Sequence, residues 1–472
     1  MAKELPKGWI KACISDIFDV RDGTHDSPKY LNDGYPLVTS KNIKNGKLNF
    51  DKINFISKED YNEINKRSKV DVGDVLFSMI GTIGSSMVII EKPIYAIKNV
   101  ALFKPLGEVK GKFLKYYLAT PLVVDKMKDE SKGTTQKFVS LGYLRGFQFP
   151  LPPLPEQQRI VAKLDTLFGH LDALKTRLDH IPQLLKDFRQ KVLTQAVTGK
   201  LTEEWREGKE LENEYDTDFV SNMRESTIEI PELWYLLPFE SIATIKSNLV
   251  DPNKYLEYPL IAPDNIQSET GLLINKPLVS DIMPISSKHI FEKGSIVYSK
   301  IRPYLSKLVI VDFDGLCSAD MYPIISDLET KYLFYYMLSE HFLSYATTAG
   351  ERTVLPKINQ KGLNEIPVPV PPREEQQEIV RRVESLFAKA EKIEASYQKL
   401  KVKIEQLPQA LLAKAFRGEL VEQLPTDGDA RELLEVIRKA KAGLEKGGRT
   451  KKMKENGEVR MVAEDGVRYG KK

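Results

Sequence analysis

Cysteine is nearly absent from this chain: Cys13 and Cys317 are the only two in 472 residues, too few for a disulfide framework. The five histidines, His25, His170, His180, His289 and His341, are scattered with no paired cysteine or metal-ligand spacing, and are read as ordinary surface or core residues. No stretch approaches the run of about 20 apolar residues that a membrane span needs. The start, MAKELPKGWI, lacks the apolar segment of a secretory signal, so the expected location is the cytoplasm. Catalytic motifs are missing as well. There is no Asn-Pro-Pro-Tyr-type amino-methylation motif, no glycine-rich nucleotide loop followed by Lys-Ser or Lys-Thr, and no nuclease carboxylate cluster. Gly81-Thr82-Ile83-Gly84 is too short to cradle a phosphate.

What is present is a globular composition, 42% hydrophobic and 29% charged, in a chain long enough for several domains. The formal net charge of +4 hints only weakly at a polyanionic partner, and its distribution says more. Residues 1–155 hold 24 Lys and Arg against 17 acids, whereas residues 224–372 hold 13 against 18. A second region that touches DNA must therefore do so through a local cluster.

The chain repeats itself. EQQRIVAKLDTLF from Glu156 to Phe168 returns as EQQEIVRRVESLF from Glu375 to Phe387, an offset of 219 that also aligns Ala196 with Ala415, Gly199 with Gly418 and Leu201 with Leu420. Each copy alternates apolar residues at spacings of four and three, the seam of a coiled coil. The first runs Ile160, Leu164, Leu167, Leu171, Leu174, Leu178, Ile181, Leu185, Phe188, Val192; the second Ile379, Val383, Leu386, Ala390, Ile393, Tyr397, Leu400, Ile404, Leu407, Leu411. Each helix thus has one narrow apolar face to bury against the other copy. Proline-rich segments, FPLPPLP at 149–155 and IPVPVPP at 366–372, set the starts, and Gly199 and Gly418 suit the ends. Pro182 and Pro408 predict a local break in each helix.

The segments before the helices correspond more loosely. LPKGW at 5–9 resembles IPELW at 230–234, VGDVLFS at 72–78 resembles KGSIVYS at 293–299, and KYYL at 115–118 resembles FYYM at 334–337. Each is a β-rich α+β domain of roughly 150 residues. The expected order is a first domain at 1–155, a central helix at 156–201, a linker at 202–223, a second domain at 224–372 and a C-terminal helix at 373–422. A short helix and basic, disordered tail at 423–472 complete it. If each domain's ends lie close together, the helices form an antiparallel coiled coil about 48 Å long. Two similar α+β domains related by a pseudo-two-fold then suit a DNA site read in halves.

LPPLPEQQRIVAKLDTLF, VPPREEQQEIVRRVESLF, the endings QAVTGKLTEEWR and LLAKAFRGEL, and the paired LPKGW-like and VGDVLFS-like segments together resemble the specificity subunits of Type I restriction-modification systems. The LAKAFRGEL ending looks most like the enterobacterial subfamily typified by the K-12 enzyme. The resemblance implies a non-catalytic, DNA-binding subunit whose two target-recognition domains each read half of a bipartite double-stranded DNA target. It further implies that the helices dock two methyltransferase subunits, that restriction subunits join them, and that no cofactor binds this chain. S-adenosylmethionine, ATP and magnesium are used by the partner subunits. A coiled-coil assembly scaffold that does not bind DNA is the rival reading, and a self-contained methyltransferase or nuclease a weaker one.

In the first domain Thr39, Ser40, Lys41, Asn42 and Lys44 combine amide, hydroxyl and ammonium groups suited to base edges and phosphates. A solvated hairpin turn, signalled by Asn45-Gly46, is the competing reading. Thr134, Thr135, Gln136 and Lys137 form a small polar loop with the same two readings. In the second domain Lys300, Arg302, Tyr304 and Lys307 make the densest basic and aromatic cluster, Arg302 suiting guanine and the lysines phosphates. Arg352 and Lys357 occupy the place corresponding to Thr134–Lys137, and Asp264 and Asn265 parallel the Thr39 segment. The tail from Arg438 holds 12 basic against 5 acidic residues, either a solubilising end or a non-specific attraction for DNA. Before it, residues 430–444 read as an amphipathic helix through Leu433, Leu434, Ile437 and Ala440, expected to pack on the coil.

Overall fold

The computed structural model describes residues 4–44, 46–81, 83–131, 137–215, 228–348 and 356–442. Contacts divide the chain into two compact units, Met1–Thr176 with Lys401–Lys472, and Arg177–Leu400. Each pairs one α+β domain with one end of each long helix.

In the first unit a four-stranded sheet has the spatial order Phe18–Asp22, Val100–Pro105, Val75–Ser78, Ser86–Val88, and a smaller sheet the order Asn54–Ile56, Tyr35–Val38, Ala96–Ile97. In the second unit the four-stranded order is Ala243–Ile245, Met321–Ser326, Ile296–Ser299, Leu308–Ile310, beside a sheet ordered Leu249–Val250, Lys288–Phe291, Gly315–Cys317, Leu260–Ile261. Each smaller sheet contains one parallel pair, Val38 opposite Ile97 and Ile261 opposite Cys317. The central strands Val75–Ser78 and Ile296–Ser299 are buried at every residue. They lie between two apolar layers, which is why VLFS and IVYS read as continuous rather than alternating. The loose sequence correspondence is thus a shared topology.

Leu154–Asp179 and Ile181–Val197 are helices interrupted at His180, just before Pro182, as expected. The second long helix is a different outcome: Arg373–Phe416 runs unbroken through Pro408. Proline removes one backbone bond, but Ile404 and Leu412 on either side are 3% exposed, and that packing holds the helix across the missing bond. In the first unit Ile160, Val161 and Leu164, at the start of one helix, share an apolar cluster with Leu412 and Ala415, at the end of the other. In the second unit Val192, Ala196 and Val197 share one with Ile379, Val380 and Val383. Starts meet ends in both, the antiparallel arrangement.

The seam is narrower than its sequence pattern. Leu171, Leu178, Leu185, Ala390, Tyr397 and Ile404 are buried, whereas Leu174, Phe188, Ile393, Leu400 and Leu407 are 38–53% exposed. Two helices without a second layer bury one column of a heptad fully and leave the other on the rim.

The repeated motifs form the joints between domain and helix. Trp9 Nε1 donates to Glu156 Oε2 at 2.9 Å and Trp234 Nε1 to Glu375 Oε2 at 2.8 Å. Gln157 and Gln376 donate to the carbonyls of Pro152 and Pro371 at 2.8 and 2.9 Å. The helix-ending glycines complete each joint. Gly418 and Gly199 adopt φ +70° and +73°, and a Cβ there would lie 2.4 Å from Pro6 and 2.5 Å from Pro231. Only glycine fits both the left-handed turn and the close approach.

The helix at residues 430–442 shares one apolar cluster with the first domain and with Ile160, Val161, Leu164, Leu412 and Ala415 of the coil ends. Ala430, Leu434 and Ile437 are the buried face that enters this cluster. Ala430 N donates to Gly8 O at 3.0 Å, Lys441 Nζ to Ser15 O at 2.9 Å, and Arg159 clasps Asp427 through two bonds of 2.7 Å. Arg159 holds the Asp427 carboxyl below the usual range. Residues 438–442 of the expected disordered tail are therefore helical, and residues 443–472 lie outside the described residues.

Candidate nucleic-acid interface

Of the polar residues singled out in sequence, Thr39 to Lys44 in the first unit and Asp264, Asn265, Lys300 and Lys307 in the second lie at the carboxyl end of the parallel strand pair of the smaller sheet. In the first, the parallel pair Leu37–Ala96 and Val38–Ile97 delivers the chain at its carboxyl end into Thr39 on one strand and Lys98 on the other. Asn42 lies there but is buried, 6% exposed, with its side chain committed to the turn. Its Oδ1 accepts from Thr39 N at 3.0 Å and Thr39 Oγ1 at 2.9 Å, and its Nδ2 donates to Asn49 O at 3.0 Å. Asn42 is thus a turn former rather than a free reader, and Thr39 is its partner. An antiparallel pairing follows, with Lys44 opposite Lys47, while Asn45 of the turn signal lies outside the described residues. It leaves Lys41 and Lys44 exposed beside the half-buried Ser40.

The second unit repeats this. Asn265 Oδ1 accepts from Ala262 N at 2.6 Å and its Nδ2 donates to Asn275 Oδ1 at 2.5 Å, which removes Asn265 too from the free groups. Lys307 is likewise held: Nζ donates to Pro263 O at 2.7 Å, and its side chain is only 15% exposed. That bond ties the turn following the strand Ile296–Ser299 to the Pro263–Asn265 turn, and leaves Asp264 fully exposed, 3.8 Å from the ammonium. Lys300 lies 4.8 Å over the Tyr322 ring. Burial, then the neighbouring Lys357 charge, lower its pKa against the opposing pull of Asp320. Lys357 pairs with Asp320 at 3.4 Å. Arg302 takes the left-handed conformation at φ 47°, its N–H donating to Pro356 O at 2.8 Å, and Arg302 and Tyr304 are exposed. Lys300, Arg302, Tyr304, Lys307, Lys357 and Asp264 are therefore one assembly.

The first unit makes the matching contacts: Gly81 N to Lys137 O at 3.2 Å and Val139 N to Met79 O at 2.9 Å, against Arg302 N to Pro356 O and Ile358 N to Lys300 O. The exposed Lys137 thus matches Pro356, and the neighbouring Phe138, opposite Ile80, matches Lys357, opposite Ile301. Thr134, Thr135, Gln136 and Arg352 lie outside the described residues.

One cluster escaped the sequence reading. Thr24 bridges Lys98 at the same sheet end, and the ring of His25 lies 2.8 Å from Asp22 Oδ2 and 2.7 Å from Asn99 Oδ1. Arg67 donates to Asp22 at 2.5 Å and Lys98 to Ser27 at 2.6 Å. Taken alone, His25 was an unpartnered histidine; its farther partner, Asn99, lies 74 positions on, which no local motif announces. Among the described residues no group of His, Cys, Asp or Glu could hold a metal ion, and no helix is long and apolar enough to cross a membrane.

Comparison with known proteins follows the same lines. The family model of the Type I restriction modification DNA specificity domain matches residues 6–183 and 227–402, one copy per repeat. The chain is 36% identical over 467 residues to the Type I restriction enzyme EcoDI specificity subunit of Escherichia coli, covering 95% of this chain and 99% of that one. It is 28% identical to the EcoKI specificity subunit of Escherichia coli strain K12, with the same coverage. Among solved structures, the HsdS subunit from Thermoanaerobacter tengcongensis matches with a TM-score of 0.58 at 18% identity, covering 89% of this chain and 99% of that one. A chain from a study of complex assembly in the type I R-M system matches with a TM-score of 0.60 at 17% identity, covering 88% and 100%. The rival reading of a scaffold indifferent to DNA gives way to a DNA-specificity role. With its duplicated domain, its paired polar sheet ends and relatives along nearly its whole length, the chain belongs to the family of Type I restriction-modification specificity subunits.

Proposed function

We propose that this non-catalytic subunit reads a bipartite double-stranded DNA target, each domain presenting the polar end of its smaller sheet to one half. The supporting observation is the recurrence of that end, built from the same turn, the same capping asparagine and the same neighbouring loop, in two units whose sequences there differ. A common frame carrying different side chains is what two half-sites of different sequence require. Lys41, Lys44, Lys137 and Lys357 contact phosphates, and Arg302 reaches base edges. Lys307, Asn42 and Asn265 shape the turns that present them.

The long helices dock two methyltransferase subunits, and restriction subunits complete the complex. The half-exposed column of Leu174, Phe188, Ile393, Leu400 and Leu407 supports docking there, since an apolar strip on a charged helix suits a protein partner. S-adenosylmethionine, ATP and magnesium are held by those partners, and the complex works in the cytoplasm. The test is exchange of residues 224–372 for the matching domain of a relative, followed by mapping of methylated adenines. One half of the target should change and the other persist; change in both halves, or in neither, refutes independent reading.

A further inference from the structure

The second domain carries a fully exposed isoleucine three residues before a strand that begins at the sheet end assigned to DNA. In the smaller sheet His289 pairs with Cys317, Cys317 with Ile261, and Lys288 with Val250. The strand Lys288–Phe291 therefore begins where Leu260–Ile261 and Gly315–Cys317 end. The chain reaches it from Met283, whose N–H donates to Val279 O beside Tyr258 before the strand Leu260–Ile261, and Ser286 and Ser287 arrive at the end of the Pro263–Asn265 turn and Asp320. Ile285 in that segment is 102% exposed, with Met283 at 60% and Ile282 at 54%.

The segment has a defined shape. Met283 is left-handed at φ 48° and precedes Pro284. Lys288, itself 9% exposed, donates through Nζ to the carbonyl of Ser286 at 2.7 Å and to its hydroxyl at 2.6 Å. A lysine in a domain with an acidic excess is thus turned inward to fix a loop whose tip is an aliphatic side chain. Ile282, Met283 and Ile285 expose neighbouring apolar side chains on this one loop, and an exposed apolar patch marks an interaction site. The only apolar group that a base pair presents in the major groove is the thymine methyl.

We infer that Ile285 is a specificity residue of the second domain, packing on the methyl group of a thymine in the half-target that this domain reads. The inference rests on the DNA-reading role proposed above, and on the continuity of the loop with that sheet end. It also explains how a domain with 13 basic and 18 acidic residues reads sequence with few charges.

The test uses the complex of this chain with its methyltransferase subunits, and binding to target duplexes in which each thymine in turn is replaced by uracil, which lacks only the methyl. For the wild-type complex one uracil in the second half-target should weaken binding about fourfold, the value of burying one methyl-sized group. Ile285→Ala should lose the same factor on the all-thymine duplex and show no further loss at that uracil, while Ile285→Val retains part of the effect. Neither change touches a packed core, so the melting temperature should hold. Unchanged binding by Ile285→Ala overturns the inference, as does a loss shared equally by every thymine position. Weakened association with the methyltransferase subunits and unaltered DNA binding would assign the tip to a protein partner and overturn it too. Domain exchange separates the levels: if exchanging residues 224–372 shifts the target but Ile285→Ala is silent, this contact alone fails. If the exchange leaves the target unchanged, the reading role itself fails.

Discussion

The two joints provide an internal control for the energetics of a buried carboxylate. Glu156 and Glu375 occupy equivalent positions and each accepts a tryptophan N–H, yet their remaining partners differ. Glu375, 0% exposed, takes Trp234 on one oxygen and both Thr202, at 2.6 Å, and Arg206 on the other. Arg206 is itself only 18% exposed. Glu156 takes Trp9 at 2.9 Å and the amide of Gln423 at 3.3 and 3.4 Å, and burial raises its pKa. Glutamine at 375 must place its NH2 against a donor, whichever way it is turned, and leaves Arg206 without its counter-charge. Removing one partner of a buried pair costs about 3–5 kcal/mol, and the amide retains one acceptor, so Glu375→Gln should cost about 3 kcal/mol. At a urea m value of about 2 kcal/mol/M the unfolding midpoint of the second unit falls by about 1.5 M. Glutamine at 156 turns its oxygen to Trp9 and gives up only the long contacts of Gln423, whose Nε2 keeps its bond to Lys7 O at 3.1 Å, so Glu156→Gln should cost under about 1 kcal/mol. The pH dependence carries the opposite signature. A carboxyl whose folded pKa is raised contributes stability that is present at low pH and lost as pH rises from its ordinary 4.5 through the folded value. The wild type should therefore lose stability relative to Glu156→Gln across that window. Urea unfolding followed by tryptophan fluorescence and by hydrogen exchange in each unit measures both variants; equal losses, or a larger loss for Glu156→Gln, refute the reasoning.

In the seam, Leu164→Asp buries an unpaired charge at a position with 0% exposure and should cost several kcal/mol, whereas Leu174→Asp, at 43% exposure, should cost under about 1 kcal/mol; thermal unfolding that ranks them equally would contradict the one-column seam. Asp427→Asn breaks the clasp with Arg159 and should cost about 1–2 kcal/mol, raising hydrogen exchange in residues 430–442 ahead of the rest of the first domain. Because the Asp427 pKa is lowered in the folded state, the clasp's contribution is present at neutral pH and fades as pH falls below the ordinary 3.8. Lys41→Ala should weaken DNA binding by the complex uniformly across sequences and reduce the magnitude of the salt slope by about one; a change confined to one base position would make Lys41 a base reader instead.

The sequence by itself determined the duplication, the helices, their antiparallel pairing and the α+β class, because these rest on local periodicity and on a repeat of fixed offset. It also marked Glu156, Gln157, Trp9 and their second copies as special, but not why. Their partners lie 141 and 147 residues away for the two tryptophans, and only the folded chain brings Pro6 against Gly418 and Pro231 against Gly199. The same limit governed the interface. Residue chemistry pointed to Asn42, Asn265 and Lys307 as free polar groups, while the tertiary structure ties each to a turn, since an amide or ammonium taken wholly or partly out of water must find a partner. Conversely His25, Lys98 and Ile285 carry no local signal, and become candidates only through the register of a parallel strand pair that sets which loops share a sheet end. Heptad spacing could locate the seam but not the exposure of its second column, which depends on how many helices meet there.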